Sequence, residues 1–151
     1  MRIWSYILLI TLCRLVMPAT AFAVGIPQEY PAVVTRVLDG DTVEVELEVY
    51  RLGPRVFRVT ERLRLDGIQA PELRGPDCEA ERQAGERARD WLHALIEGER
   101  VRVLIIGPDK YGRARGDLVL ASGQRATHAL LDAGHAKPWG GASRDKPDFC
   151  S

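Results

Sequence analysis

The chain has 151 residues, 46% hydrophobic and 28% charged, with 21 lysines and arginines against 21 aspartates and glutamates. That balance excludes disordered, collagen-like and multi-spanning membrane classes and leaves one globular domain as the expectation. A net charge of zero also argues against a bulk nucleic-acid coat protein, which carries a large basic surplus, while leaving room for a local basic site.

The first 23 residues read as a leader that export removes. Arg2 supplies a short positive start, Ile3 to Cys13 is mostly apolar, and Ala21-Phe22-Ala23 is a small-x-small cleavage site. Arg14 interrupts the apolar run well short of the ~20 residues that a membrane span needs. The expected mature domain is therefore residues 24–151, exported to a periplasm or beyond, with no stable membrane association. Loss of Arg2 and Arg14 leaves 19 basic against 21 acidic residues, a net charge of −2. Cys13 leaves with the leader, so Cys78 and Cys150 are the two cysteines that remain, and an oxidising compartment favours a bridge between them over two free thiols.

Along the mature chain, Ala32 to Leu38 is a β-branched strand stopped by Asp39-Gly40. Thr42 to Val49 alternates strictly, with Val43, Val45, Leu47 and Val49 on one face and Glu44, Glu46 and Glu48 on the other. After the Gly53-Pro54 turn, Val56 to Leu65 sets Phe57, Val59, Leu63 and Leu65 against a row containing Arg58, Arg62 and Arg64. Pro71 makes Ile68 to Glu72 a loop. From Cys78 the period becomes 3.6, with Ala84, Ala88, Trp91, Leu92 and Leu95 on one face, Asp77 as N-cap and Gly98 as stop. Strands follow at Arg100 to Ile106 and Arg115 to Ala121, separated by the turn Gly107 to Gly112, and a short helix spans Ala126 to Ala133. The tail from Pro138 reads as irregular. Three strands, a helix, two strands and a helix suit an α+β domain built on a small five-stranded OB-type barrel.

Three segments combine turns with ionisable groups in a fixed order: Asp39-Gly40-Asp41-Thr42, Arg64 to Glu72, and Asp109-Lys110-Tyr111-Gly112-Arg113. Singly, each reads as an ordinary turn. Together, and with the helix containing Gly85 to Arg89, they resemble the staphylococcal nuclease (thermonuclease) family over roughly Val33 to Lys137. The resemblance implies an OB barrel with helices and a Ca²⁺-assisted phosphodiesterase. By motif position, Arg64 and Arg113 would clamp the phosphate, and Glu72 would act as, or help orient, the general base. Asp41 would be a metal ligand, Ala70 would offer its backbone carbonyl, and Lys110 and Tyr111 would bind nucleotide. Trp139 stands where an aromatic side chain could stack on a base or cap the barrel.

These residue types suit that chemistry. Negative charge gathers on the non-bridging oxygens of a phosphodiester under attack, and guanidinium groups match it bidentately. A glutamate within reach of a water can take its proton, and Ca²⁺ takes oxygen ligands. Gln69 departs from the family pattern, which has a liganding aspartate there. An amide offers an oxygen without charge, so weaker Ca²⁺ binding is expected. The expected substrate is single-stranded or denatured DNA, or RNA, handled by a monomer. The alternatives are an OB-fold module that binds single-stranded nucleic acid without cutting it, and an exported interaction domain. His93, His128 and His135 show no metal-ligand spacing.

Overall fold

The barrel strands are separated by turn formers, and their buried faces carry valine and leucine. The computed structural model describes residues 28–141 and 146–151; the expected leader, residues 1–23, lies outside the described residues. The elements are β1 (Gln28–Asp39), β2 (Thr42–Leu52), β3 (Arg55–Leu65), β4 (Ile68–Gln69), α1 (Glu79–Ile96), β5 (Arg100–Pro108), β6 (Ala114–Val119), α2 (Ala126–Asp132) and β7 (Lys137–Pro138). Five strands close into a barrel in the order β1, β2, β3, β6, β5, which is the OB architecture the element order predicts. Antiparallel pairing runs through four of the junctions. The fifth, where Leu63 to Leu65 meets Ala114 to Gly116, is parallel.

The core holds Val34, Val43, Val45, Leu63, Leu65, Val103 and Leu118, all almost fully buried. The alternation overreaches at one end. Val49, Phe57 and Val59, expected inside, are 41%, 48% and 42% exposed, because the β2–β3 hairpin runs past the core after a register shift between Glu48 and Tyr50. The glutamate and arginine rows share the outer face there, with Arg58 pairing with Glu46 and Glu48 at 3.3 and 3.4 Å. Ile68 and Gln69, expected in a loop, pair with Lys137 and Pro138 as a two-stranded ribbon.

Helix α1 buries Gly85, Ala88, Leu92 and Ile96 along one stripe. Burying Leu92 and Ile96 completely stabilises the packing by about 1.5–3 kcal/mol each, so α1 is a fixed platform. Its N-cap is Cys78 rather than Asp77, with Sγ accepting the Glu81 N–H at 3.3 Å. Asp77 pairs instead with Lys146. At its other end α1 is tied to β1: Gly98 donates its N–H to the Val34 carbonyl at 2.9 Å, and a Glu97 carboxylate oxygen accepts the Val37 N–H at 3.1 Å.

Candidate active site

Two glycines bring the pieces of the site together. A Cβ on Gly40 would lie 2.7 Å from Ala70 Cβ and 2.9 Å from Ala88 Cβ, so its absence lets the β1–β2 turn lie directly on the Ala70 loop and α1. A Cβ on Gly85 would lie 2.8 Å from the Pro71 carbonyl oxygen and 3.0 Å from the Leu73 side chain. The loop carrying Glu72 therefore rests on the helix backbone.

Asp41, 5% exposed, accepts the Ala70 N–H on Oδ2 at 2.8 Å and the Thr42 hydroxyl on Oδ1 at 3.1 Å. Burial pushes its carboxyl above the ordinary range, against the pull of Arg64. Asp39 is pushed up to about 6, first by burial and then by the nearby charges of Asp41 and Glu72. The charges of Asp41 and Glu72 thus lie close enough to Asp39 to disfavour its ionisation.

Arg64 runs inward from the end of β3 with its side chain 11% exposed. Its guanidinium donates to the carbonyls of Leu65 and Ile68 at 2.7 and 3.0 Å and to Gln69 Oε1 at 3.0 Å, and lies 3.1 Å from Asp41 Oδ2. The Gln69 amide, also buried, uses its other end to donate to Glu72 Oε1 at 2.9 Å and to the Ala70 carbonyl at 3.0 Å. An amide is suited to this place because it accepts on one side and donates on the other. It links the arginine to the glutamate.

The turn between β5 and β6 is organised by Asp109. One carboxylate oxygen accepts the N–H groups of Tyr111 and Arg113 at 2.8 and 2.9 Å, and the other accepts Arg113 Nε at 2.7 Å. Desolvation works against ionisation, yet these bonds hold the Asp109 carboxyl below its usual range. Arg113 is consequently gripped by one edge. Its guanidinium and the Lys110 ammonium lie over the Tyr111 ring at 5.6 and 5.0 Å, and that ring is 73% exposed. Trp139, held by its N–H to the Gly67 carbonyl at 2.9 Å, has Arg64 6.0 Å from its ring centre.

One cleft of about 290 Å³ is lined by Asp41, Arg64, Gln69, Glu72, Lys110, Tyr111, Arg113 and Trp139. Ala70 lies against Gly40 and is not part of that lining. Asp39 and Lys146 also line the cleft and were not singled out by sequence. Asp39 reads as a turn former before glycine, and Lys146 lies in a tail with no periodicity. The Cys78–Cys150 bridge is formed, with Cα atoms 6.0 Å apart, beside the start of α1.

For a hard cation, Asp39 and Asp41 are the fitting donors, because their crowding is what a positive ion relieves. The Gln69 and Ala70 oxygens already accept from Arg64 and from the Gln69 amide nitrogen, and those of Asp41 from Ala70, Thr42 and Arg64, whereas Asp39 accepts the Gly40 N–H. Among the described residues, no three acidic, histidine or cysteine side chains are grouped to hold a metal ion by themselves, so such an ion would also need water or phosphate oxygens.

Fold and cleft together define an OB-barrel domain whose cleft sets guanidinium groups beside carboxylates. The family described as staphylococcal nuclease homologue matches residues 62–148, and the chain belongs to that family. It is 30% identical over 126 residues to endonuclease YhcR of Bacillus subtilis (strain 168), covering 79% of this chain and 9% of that protein. An uncharacterized endonuclease of Escherichia coli O157:H7 is 32% identical over 103 residues, 68% of this chain and 57% of its own length. Micrococcal nuclease of Shigella flexneri is 34% identical over 105 residues, 68% and 51% respectively. The chain thus spans from under a tenth to just over half of these relatives.

Proposed function

We propose that this domain is an exported, metal-assisted nuclease that hydrolyses phosphodiester bonds in single-stranded or denatured DNA and in RNA. The observation that carries the reading is the convergence of Arg64, Arg113 and Glu72 on one cleft with Tyr111 and Trp139. The names of the relatives, two endonucleases and a micrococcal nuclease, support it. The leader-like N-terminus and the bridge support export, since disulfides persist in oxidising compartments.

In this reading Arg113 meets the phosphate first, through the two terminal nitrogens that Asp109 leaves unengaged. Arg64 adds a fixed positive charge behind it. Glu72, aimed by the Gln69 amide, takes a proton from the attacking water as oxygen bonds to phosphorus. The opposite P–O ester bond breaks, and the departing oxygen takes up a proton. A Ca²⁺ ion held by Asp39 and Asp41 would neutralise phosphate charge. Tyr111 and Trp139 offer base-stacking faces, worth roughly 1–3 kcal/mol per base.

A second reading, a module that binds without cutting, is favoured by Gln69, whose oxygen is turned to Arg64. Incubation of the protein with labelled single-stranded DNA and RNA, in Ca²⁺ or in chelator, separates the two. Cleavage in Ca²⁺ that stops in chelator is the expected result. Salt-sensitive binding without cleavage supports the module.

A further inference from the structure

The C-terminal tail reaches the site through three contacts. Cys150 is bonded to Cys78, the N-cap of α1. Lys137 of β7 donates to the Asp148 carbonyl and lies 4.9 Å from the Phe149 ring centre. Lys146 Nζ sits 3.2 Å from Asp77 Oδ2 and 3.5 Å from Glu81 Oε1.

Glu81 makes the last contact matter. Its side chain is 2% exposed, and its two oxygens accept the backbone N–H groups of Glu72, at 3.2 Å, and Asp77, at 2.6 Å. Both ends of the loop that carries Glu72 are therefore fastened to one buried carboxylate. A buried carboxylate needs compensation by hydrogen bonds and a cation, and among the described residues Lys146 is the cation paired with it.

We propose that the Cys78–Cys150 bridge and Lys146 form a latch: the oxidised bridge keeps Lys146 on Glu81, Glu81 keeps Glu72 at the cleft, and turnover depends on the bridge being closed. The role given to Glu72 rests on the nuclease reading. Lys146 and Glu81 are positioning residues, acting through the Glu72 backbone. A dithiol reductant opens the latch. Its thiolate attacks a sulfur of the bridge, the S–S bond becomes two protonated thiols, and the reductant closes to its own disulfide. Cys150 is exposed to such attack. A secreted form of the domain keeps the latch shut, and a reducing compartment disarms it.

The test uses the full chain with Cys78→Ser/Cys150→Ser, Lys146→Met and Lys146→Arg, each compared with wild type before and after reduction. Serine at position 78 retains a capping oxygen for α1, which isolates loss of the bridge from loss of the cap. Hydrogen exchange at the Glu72 and Asp77 amides is the first readout. It accelerates by about tenfold or more in the double-serine, reduced and Lys146→Met proteins, while central α1 amides are unchanged. Single-turnover cleavage of single-stranded DNA is the second. The rate falls roughly ten- to a hundredfold with little change in KM, and Lys146→Arg restores it. Unchanged exchange at those two amides overturns the latch whether or not the protein cleaves. A fully active double-serine protein beside an inactive Glu72→Gln overturns the latch and leaves the nuclease reading standing. An inactive wild type removes the nuclease reading, and the exchange result still decides the latch.

Discussion

Arg64 and Arg113 line the same cleft and are held in opposite ways. Arg64 has its side chain 11% exposed and is surrounded by four acceptors from β3, β4 and the β1–β2 turn. Arg113 is 36% exposed and fastened at Nε by Asp109. Arg64 is part of the fold as much as of the site, since it compensates the buried Asp41. Arg113 is held at one edge, and in the proposed function its other edge receives the phosphate.

Replacing each arginine in turn should separate its effect on stability from its effect on rate. Arg64→Met leaves Asp41 buried without its cation, so it should cost about 3–5 kcal/mol of stability and on the order of 10²–10³ in cleavage rate. Urea melts and single-turnover rates measure the two losses. Arg113→Met should lose a similar 10²–10³ in rate and less stability than Arg64→Met, because the Arg113 side chain is 36% exposed and Asp109 keeps the Tyr111 and Arg113 backbone N–H donors when the guanidinium is removed. Equal stability losses in the two proteins would erase the distinction.

Asp39 sharpens the inner side further. Its pKa of about 6 exceeds the ordinary 3.8, so between those values the folded protein holds a proton that the unfolded chain has released. Stability therefore falls as pH rises through that window. In chelator near neutral pH, Asp39→Asn should be more stable than wild type by about 1–3 kcal/mol, and the gain should vanish below about pH 3.8. Thermal melts across pH test this. Ca²⁺ should stabilise wild type and leave Asp39→Asn nearly unchanged. The smallest effect belongs to another arginine of β3. Arg58 pairs with Glu46 and Glu48 on the outer face, and Arg58→Ala should shift stability by under about 1 kcal/mol and leave cleavage unaffected.

The barrel was legible in the sequence because strand alternation and Asp-Gly or Gly-Pro turns are local signals, and the site motifs were legible through their order. What escaped was non-local. Val49, Phe57 and Val59 obey the alternation yet stand outside the core, because the period says which residues share a face and not how far the core extends. The β4–β7 ribbon joins residues nearly seventy apart in sequence, with too few residues in either strand to show a pattern. Asp39 was hidden by its turn-forming role, and its crowding with Asp41 and Glu72 appears once the chain is folded. Gln69 reads as a weakened ligand, whereas its amide spans Arg64 and Glu72.

In the proposed reaction Glu72 performs chemistry in a cleft whose arginines bind the substrate. Glu72→Gln keeps an oxygen to accept from Gln69 and removes the basic charge. Its single-turnover cleavage of single-stranded DNA in Ca²⁺, measured beside its affinity for the same strand, is the most direct test. The expected result is a rate lowered by about 10²–10⁴ with affinity within a few-fold of wild type. Cleavage at the wild-type rate would remove Glu72 from the chemistry.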